Sequence, residues 1–338
     1  MNTLENPIVI FTHSHEVNVD RVISILREQG HEYIRIDIDS IIDLANDLTI
    51  TEESPGDELC LCSDKMGFKV RSTKIRSVWY RRPEWPKPTK ADMFSSWTQQ
   101  EIDFLKGEYS GFLWSLYTTF PGYWMNRPLY GTHLLEHNKL YQMQIAKKSG
   151  LCVPRTIISN NPEQILSFAK SCNGRIAVKC IRQRVFSNDD GTHNGIYTNI
   201  VNIADLVESK ASLSVCPVML QEYIEKKIEL RITIVGKQVF ACAIHSQDEV
   251  RTMIDWRRYG EKWVKHEVFV LPEHVKGKLL ESMKSWGIVF GAIDMIVTPE
   301  NNYVFLEVNP SGQYGWIEGL TGMPISRAIA EVLSNPNV

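Results

Sequence analysis

The chain has 338 residues, enough for two or three domains, and its 43% hydrophobic and 23% charged content is that of a soluble globular protein. A net charge of −3 and the lack of a long basic run argue against a nucleic-acid partner. The first apolar run, Ile8–Phe11, is too short for a signal peptide, no membrane-length stretch follows, and seven cysteines without a CxxC pair fit reduced thiols in the cytoplasm.

Pro7–Thr12 predicts a buried strand. Val17–Gln29 predicts a helix, with Val19, Val22, Ile23 and Leu26 on one face and Gly30 as its stop, and Tyr33–Ile38 predicts a second strand. This βαβ unit opens an α/β domain. No GxGxxG follows the first strand, so no dinucleotide site is expected, and His13 and His15 read as loop residues rather than metal ligands. Ile75–Tyr80 is a further strand that runs into Arg81-Arg82-Pro83, two arginines placed either to meet a phosphate or carboxylate or to form an ion-paired corner. Asp92–Phe120 predicts a long helix rich in aromatics, with Gly107 and Gly111 as possible breaks; its aromatic face suits packing or a dimer contact.

Pro121–Pro128 reads as a linker, which ends a first domain at residue 122. His133–Ser149 predicts one helix closed by Gly150, with Lys139 near its start. Arg155–Ser159 is a strand, Pro162–Lys170 a helix, and Arg175–Cys180 a strand that ends in Lys179. Phe186–Gly195 is polar and Gly-containing, the composition of a mobile flap. Val218–Ile224 is a strand, and Ile228–Val235 alternates strictly. Ile228, Leu230, Ile232 and Ile234 take one face; Glu229, Arg231 and Thr233 take the other, as a site wall or a solvent-facing ion pair. Val239–His245 follows, then a polar turn and Asp255-Trp256-Arg257-Arg258. Pro272–Trp286 is an amphipathic helix, and Pro324–Leu333 closes the chain as another.

Gly291–Gly315 holds two apolar runs, Ala292–Thr298 and Tyr303–Val308, joined by Pro299-Glu300-Asn301-Asn302, a hairpin signal. Period two places Phe305, Glu307 and Asn309 on one face and Val304, Leu306 and Val308 on the other. Asp294 then falls opposite Glu307, or opposite Asn309 if the register slips by two. Either register gathers two carboxylates and an amide oxygen, a donor set for Mg²⁺ or Mn²⁺ rather than zinc.

The ordered set THSHEVNVDRVISIL, VWYRRPEWP, NKLYQMQIAKKSGLCVPRTIISNNPE, QEYIEKKIELRITIVG, IDWRRYG and GAIDMIVTPENNYVFLEVNPSGQYGWIE resembles the ATP-grasp ligases. More narrowly, it is similar to the enzymes that make microviridins and related graspetides. The resemblance implies an ATP-grasp fold with an N-terminal pre-ATP-grasp α/β domain (1–122), a central α/β domain (123–220) with its flap at 186–195, and a C-terminal antiparallel-sheet domain (221–338). It implies that Lys139 and Lys179 reach the ATP phosphates. Glu222 and Tyr223 hold the adenine edge with Gln221 and Ile224 beside them, and Glu229 takes the ribose. Many relatives carry Asp at that position, a departure the graspetide branch accepts. Arg231 and Arg257 are implied to face the γ-phosphate or acyl phosphate, while Asp294, Glu307 and Asn309 hold two Mg²⁺ ions, with Mn²⁺ as a substitute. It further implies a homodimer and a precursor peptide, with a leader helix and a Ser/Thr plus Asp/Glu core. The leader would dock near a strand pair at about 240–259, where Arg251, Arg257 and Arg258 meet acidic residues. The implied reaction joins Asp or Glu side chains to Ser or Thr hydroxyls of the same peptide as ω-esters. The alternatives are ω-amide formation with Lys, a RimK-like ligase that adds an amino acid to a carboxylate, and a non-catalytic nucleotide-binding protein.

Overall fold

The computed structural model describes residues 2–42, 47–53, 58–86, 94–128, 132–181, 185–187, 193–195, 198–258 and 263–336. The N-terminal unit is built on a parallel sheet in the order Tyr33–Asp37, Ile8–Thr12, Ser77–Tyr80, Tyr123–Met125. Ile8, Val9, Ile10 and Phe11 are all buried, as a parallel strand covered on both faces must be. The helix Val17–Glu28 is the crossover, and its buried Val19, Val22, Ile23 and Leu26 follow the 3.6-residue spacing. The stretch read as a linker contains the fourth strand, so this sheet runs past Gly122 to Met125; Trp124 and Met125 supply the burial that the flanking Pro and Gly hide.

The aromatic helix begins later than expected, at Gln99–Thr119. A capping box between Thr98 and Glu101 fixes its start, and Asp92 lies outside the described residues. Gly107 and Gly111 face open space and do not interrupt it. A second, mainly antiparallel sheet of Asn2–Thr3, Phe68–Arg71, Glu58–Ser63 and Thr49–Glu53 was not anticipated from the sequence.

The central unit is an antiparallel sheet in the order Asn199–Val201, Ile176–Lys179, Val218–Glu222, Thr156–Ser159. The single helix expected over His133–Ser149 is two, His133–Glu136 and Lys139–Lys148. Asn138 leaves the helical conformation, and its side chain accepts from the Tyr141 N–H at 2.9 Å. That cap makes Lys139 the first residue of a new helix. Val185–Ser187 and His193–Gly195 pair antiparallel at the base of the expected flap; residues 188–192 lie outside the described residues.

The C-terminal unit is an antiparallel sheet in the order His266–Val268, Gln238–Ile244, Ile228–Val235, Phe290–Val297, Tyr303–Asn309. Leu230, Ile232 and Ile234 pack on Val275, Leu279 and Met283 of the helix Glu273–Trp286, which leaves Glu229, Arg231 and Thr233 on the opposite face. Asp294 pairs with Glu307, the first of the two registers, but through a bulge. Val297 pairs with Tyr303 and Met295 with Phe305, so Leu306 is the extra residue. The bulge corrects one expectation: Phe305 does not share the Glu307 face. It turns into the core with Met295 and Val308 at 0% exposure, and Leu306 lines the cleft instead. The strand pair expected near 240–259 also differs. Beyond Ile244 the chain makes short 3₁₀ turns at Val250–Thr252 and Trp256–Arg258, and the strand beside Gln238–Ile244 is His266–Val268. Among the described residues no helix is long and apolar enough to cross a membrane, and the seven cysteines are free thiols.

Candidate active site

A cleft of about 900 Å³ opens between the central and C-terminal sheets, with the strand end Tyr80–Glu84 at one side. Its floor is a cross-strand ladder in which Arg231 pairs with Asp294 and Asp294 with Glu307. Arg231 Nη1 donates to Asp294 Oδ1 at 2.9 Å, and its Nη2 to the Gln313 carbonyl at 3.2 Å. The loop passes close beneath that guanidinium only because residue 312 is glycine. A Cβ there would lie 2.4 Å from Ala292 Cβ and 2.9 Å from Arg231 Nη2. Asn309 Oδ1 accepts from the Ser311 N–H at 2.9 Å, which fixes the turn after the strand.

Cations surround Glu307. Lys139 Nζ lies 2.8 Å from its Oε2, and Arg257 Nη1 lies 3.9 Å from its Oε1. Burial alone would raise the Glu307 pKa, but Lys139, Lys179 and Arg257 outweigh it and hold the group down to about 2. Lys179 shows the reverse balance. Its burial, helped by the like charges of Lys139 and Arg257, outweighs Glu307 and pulls the ammonium down to about 8. Arg257 is held in plane by Asp255, with Nε on Oδ1 at 2.8 Å and Nη2 on Oδ2 at 3.0 Å. Burial works against both charges, yet the pairing keeps Arg257 above and Asp255 below their ordinary ranges.

On the adjacent wall Glu229 Oε1 accepts from Lys226 Nζ and from Ser246 Oγ, each at 2.7 Å. Gln221, Glu222, Tyr223 and Ile224 all line the cleft. The Glu222 carboxylate, however, is engaged by Arg155, taking its backbone N–H at 2.8 Å and Nε at 2.7 Å. The Tyr223 ring lies under Arg175 at 4.1 Å. Gln221 donates to Thr156 Oγ1 at 3.0 Å, while its buried Oε1 has no partner among the described residues. Arg251 is not in the cleft; it stacks on Trp263 at 4.4 Å and neighbours Glu249 at 4.0 Å. The Arg258 side chain lies outside the described residues.

Several residues that shape the site escaped the sequence reading. Asp255 stood in the quoted IDWRRYG stretch without a role. Gln142 acts through contacts far away in sequence, for which a single chain offers no signal. The donor set itself fits a divalent cation: two carboxylates and an amide oxygen adjoin on one sheet face, each carboxylate already holding a cationic side chain. The cluster of Lys139, Lys179, Arg231 and Arg257 beside them suits a polyphosphate.

Known proteins share this fold along most of the chain. Residues 7–127 match the MvdD pre-ATP grasp domain family, and residues 136–333 match the RimK-like ATP-grasp domain family. The structure of a RiPP-associated ATP-grasp ligase from Chryseobacterium gregarium, in complex with ADP and a leader and core peptide, is 30% identical. It covers 98% of each chain with a TM-score of 0.88. The macrocyclase MdnC from Microcystis aeruginosa MRC, bound with precursor peptide MdnA, is also 30% identical. It covers 99% of this chain and 100% of its own with a TM-score of 0.82. A curated relative, the "Probable alpha-L-glutamate ligase" of Vibrio parahaemolyticus serotype O3:K6 (strain RIMD 2210633), is 24% identical over 202 residues, which span 58% of this chain and 62% of that protein. Domain families matched in sequence along the chain, together with full-length likeness at 30% identity, place this protein among the ATP-grasp ligases, in the RiPP-associated group of microviridin and graspetide maturases.

Proposed function

We propose that the protein is an ATP-dependent macrocyclase of a ribosomally made precursor peptide, which activates Asp or Glu side chains as acyl phosphates and joins them to Ser or Thr hydroxyls of the same peptide. The observation that carries this reading is the Arg231–Asp294–Glu307 ladder with Lys139, Lys179 and Arg257 turned onto it. A carboxylate at neutral pH is a poor electrophile, since it is anionic and its leaving group is oxide. Attack of its oxygen on the γ-phosphorus of ATP releases ADP and leaves an acyl phosphate. The peptide hydroxyl then attacks the acyl carbon, phosphate departs with the bonding pair, and the hydroxyl proton passes to phosphate or solvent. One water is lost per link.

Phosphoryl transfer is catalysed mainly by positioning and charge neutralisation. Lys139 and Lys179 bind the phosphates. Glu229, oriented by Lys226 and Ser246, accepts the ribose hydroxyls. With the Glu222 side chain committed to Arg155, the adenine edge is met by the backbone of Gln221–Ile224. Asp294, Glu307 and Asn309 would hold two Mg²⁺ ions, which when bound would neutralise the charge developing on the transferred group. Arg257, flattened by Asp255, and Arg231 steady the transferred group and the oxyanion of the second step. A donor of this kind is worth roughly 3–4 kcal/mol. The peptide complexes of the Chryseobacterium and Microcystis relatives support a precursor peptide as the partner. The exposed Phe104 and Trp114 on the helix Gln99–Thr119 offer a face for a homodimer.

The test is mass spectrometry of a candidate precursor after incubation with protein, ATP and Mg²⁺. Loss of one water per link supports cyclisation, and cleavage of the links by mild alkali identifies esters rather than amides. A heavier product would replace this reading with a ligase that adds an amino acid. Arg231→Ala should cut peptide-stimulated ADP release by about 10²–10³-fold, and Asp294→Ala should abolish it. Unchanged release in Asp294→Ala would overturn the assignment.

A further inference from the structure

Beside the oxygen cluster, the wall of the cleft carries a second set of ligand atoms of different chemistry. His133, Glu136 and His137 lie on and just after the one-turn helix His133–Glu136 and line the cleft close to Arg82 and Ser311. Spacings of three and four residues bring such side chains to one face of a helical turn. One ligand atom of each lies within 4.8 Å of the other two. The imidazole rings stand 5.9 Å apart, and the His133 ring rests 5.4 Å from that of Trp114.

We propose that His133, Glu136 and His137 form a site for a divalent transition-metal ion of the zinc class, separate from the Asp294–Glu307–Asn309 cluster. Two imidazoles and one carboxylate are the donors that zinc, nickel and copper prefer, whereas magnesium prefers oxygen alone. Zinc bonds of roughly 2.0–2.2 Å to nitrogen and oxygen set tetrahedral ligand atoms about 3.4 Å apart, so the triad, within 4.8 Å, must close by up to ~1.4 Å. Closure would have to come from rotation of these three side chains on binding the ion. Three protein ligands leave a coordination position for water or for a carboxylate held in the cleft.

The proposal does not depend on the peptide chemistry, and its test does not use turnover. Zn²⁺ is titrated calorimetrically into the full-length protein in excess Mg²⁺, and Co²⁺ is followed by visible absorption. The expected result is one tightly bound ion per chain and an intense absorption of four-coordinate cobalt. His133→Ala and His137→Ala should each weaken binding at least about tenfold, Glu136→Gln should weaken it as well, and Asn309→Ala should leave it unchanged. Far-UV circular dichroism verifies that each variant is folded. Equal affinity in the wild type and both histidine variants would overturn the proposal. So would weak binding at several sites per chain, or loss of zinc in Asn309→Ala.

Discussion

Lys179 is an ammonium kept in surroundings that favour its neutral form. Burial brings it to about 8, and Glu307 compensates only in part. In its proposed role on the ATP phosphates only the protonated form attracts the ligand, so affinity should be full below that value and fall as pH rises through it. Above it the dissociation constant should climb by up to about tenfold per pH unit. Glu307, held at about 2, stays ionised throughout and adds nothing to the decline. Calorimetric titration of ADP from neutral to alkaline pH should show the loss. Lys179→Arg, which stays charged, should flatten it. A wild-type profile already flat across that range would remove Lys179 from the phosphate site.

At the scale of elements, Gln142 ties the central unit to the strand that bears Glu307 and Asn309. Its Oε1 accepts from the Val308 N–H at 2.9 Å, and its Nε2 donates to the carbonyls of Val308 at 3.0 Å and Leu135 at 2.7 Å. Gln142→Ala removes the partners of the buried Val308 N–H and carbonyl, while the Leu135 carbonyl keeps the Asn138 N–H at 3.3 Å. It should cost about 2–4 kcal/mol in urea unfolding and weaken nucleotide binding, because Lys139 sits one turn away on the same helix. The alternation that placed Glu229 and Arg231 opposite Leu230 and Ile232 was legible because it is local and strictly periodic. So was the pairing of Asp294 with Glu307. The bulge at Leu306 was not, because one extra residue alters no composition and only hydrogen-bond register reveals it. The break at Asn138 was masked by Leu134, Leu135 and Leu140, which continue a helical pattern through the cap. The strand Tyr123–Met125 was masked by Pro121, Gly122 and Pro128.

Across the whole molecule, the parts are locked by a buried arginine from the N-terminal sheet. Arg81 Nη1 donates to the carbonyls of Ser311 at 3.1 Å and Gly312 at 3.0 Å, and Nη2 donates to Gln313 Oε1 at 2.8 Å. Glu16 lies 3.5 Å away, and Gln313 Nε2 reaches it at 3.1 Å. Burial would raise the Glu16 pKa, but Arg81 and the amides of Asn18 and Gln313 hold it below its ordinary value. Of the two arginines flagged at this strand end, Arg81 is thus the ion-paired corner, while Arg82 lines the cleft. Removing Arg81 strands a buried carboxylate, so Arg81→Ala should destabilise the fold by about 3–5 kcal/mol, read as a lowered Tm. High salt, which screens exposed pairs, should leave the wild-type Tm nearly unchanged with respect to this contact. The network links residues more than two hundred positions apart, so a single sequence cannot disclose it.

The strand Tyr303–Asn309 is the last in its sheet, yet its outer rim is not bare. Gln142 occupies Val308, and the Phe305 N–H donates to the Cys152 carbonyl at 2.8 Å. An open rim invites strands from other molecules to zip on and propagate into fibres. Here the chain has sealed that side with its own helix and loop. The opposite rim is only the three residues His266–Val268, guarded by the Lys265–Glu267 pair at 2.7 Å. The oxygen donors are therefore shielded from templated polymerisation, and crowded solutions should not lose them to fibrils while the Gln142 helix stays docked.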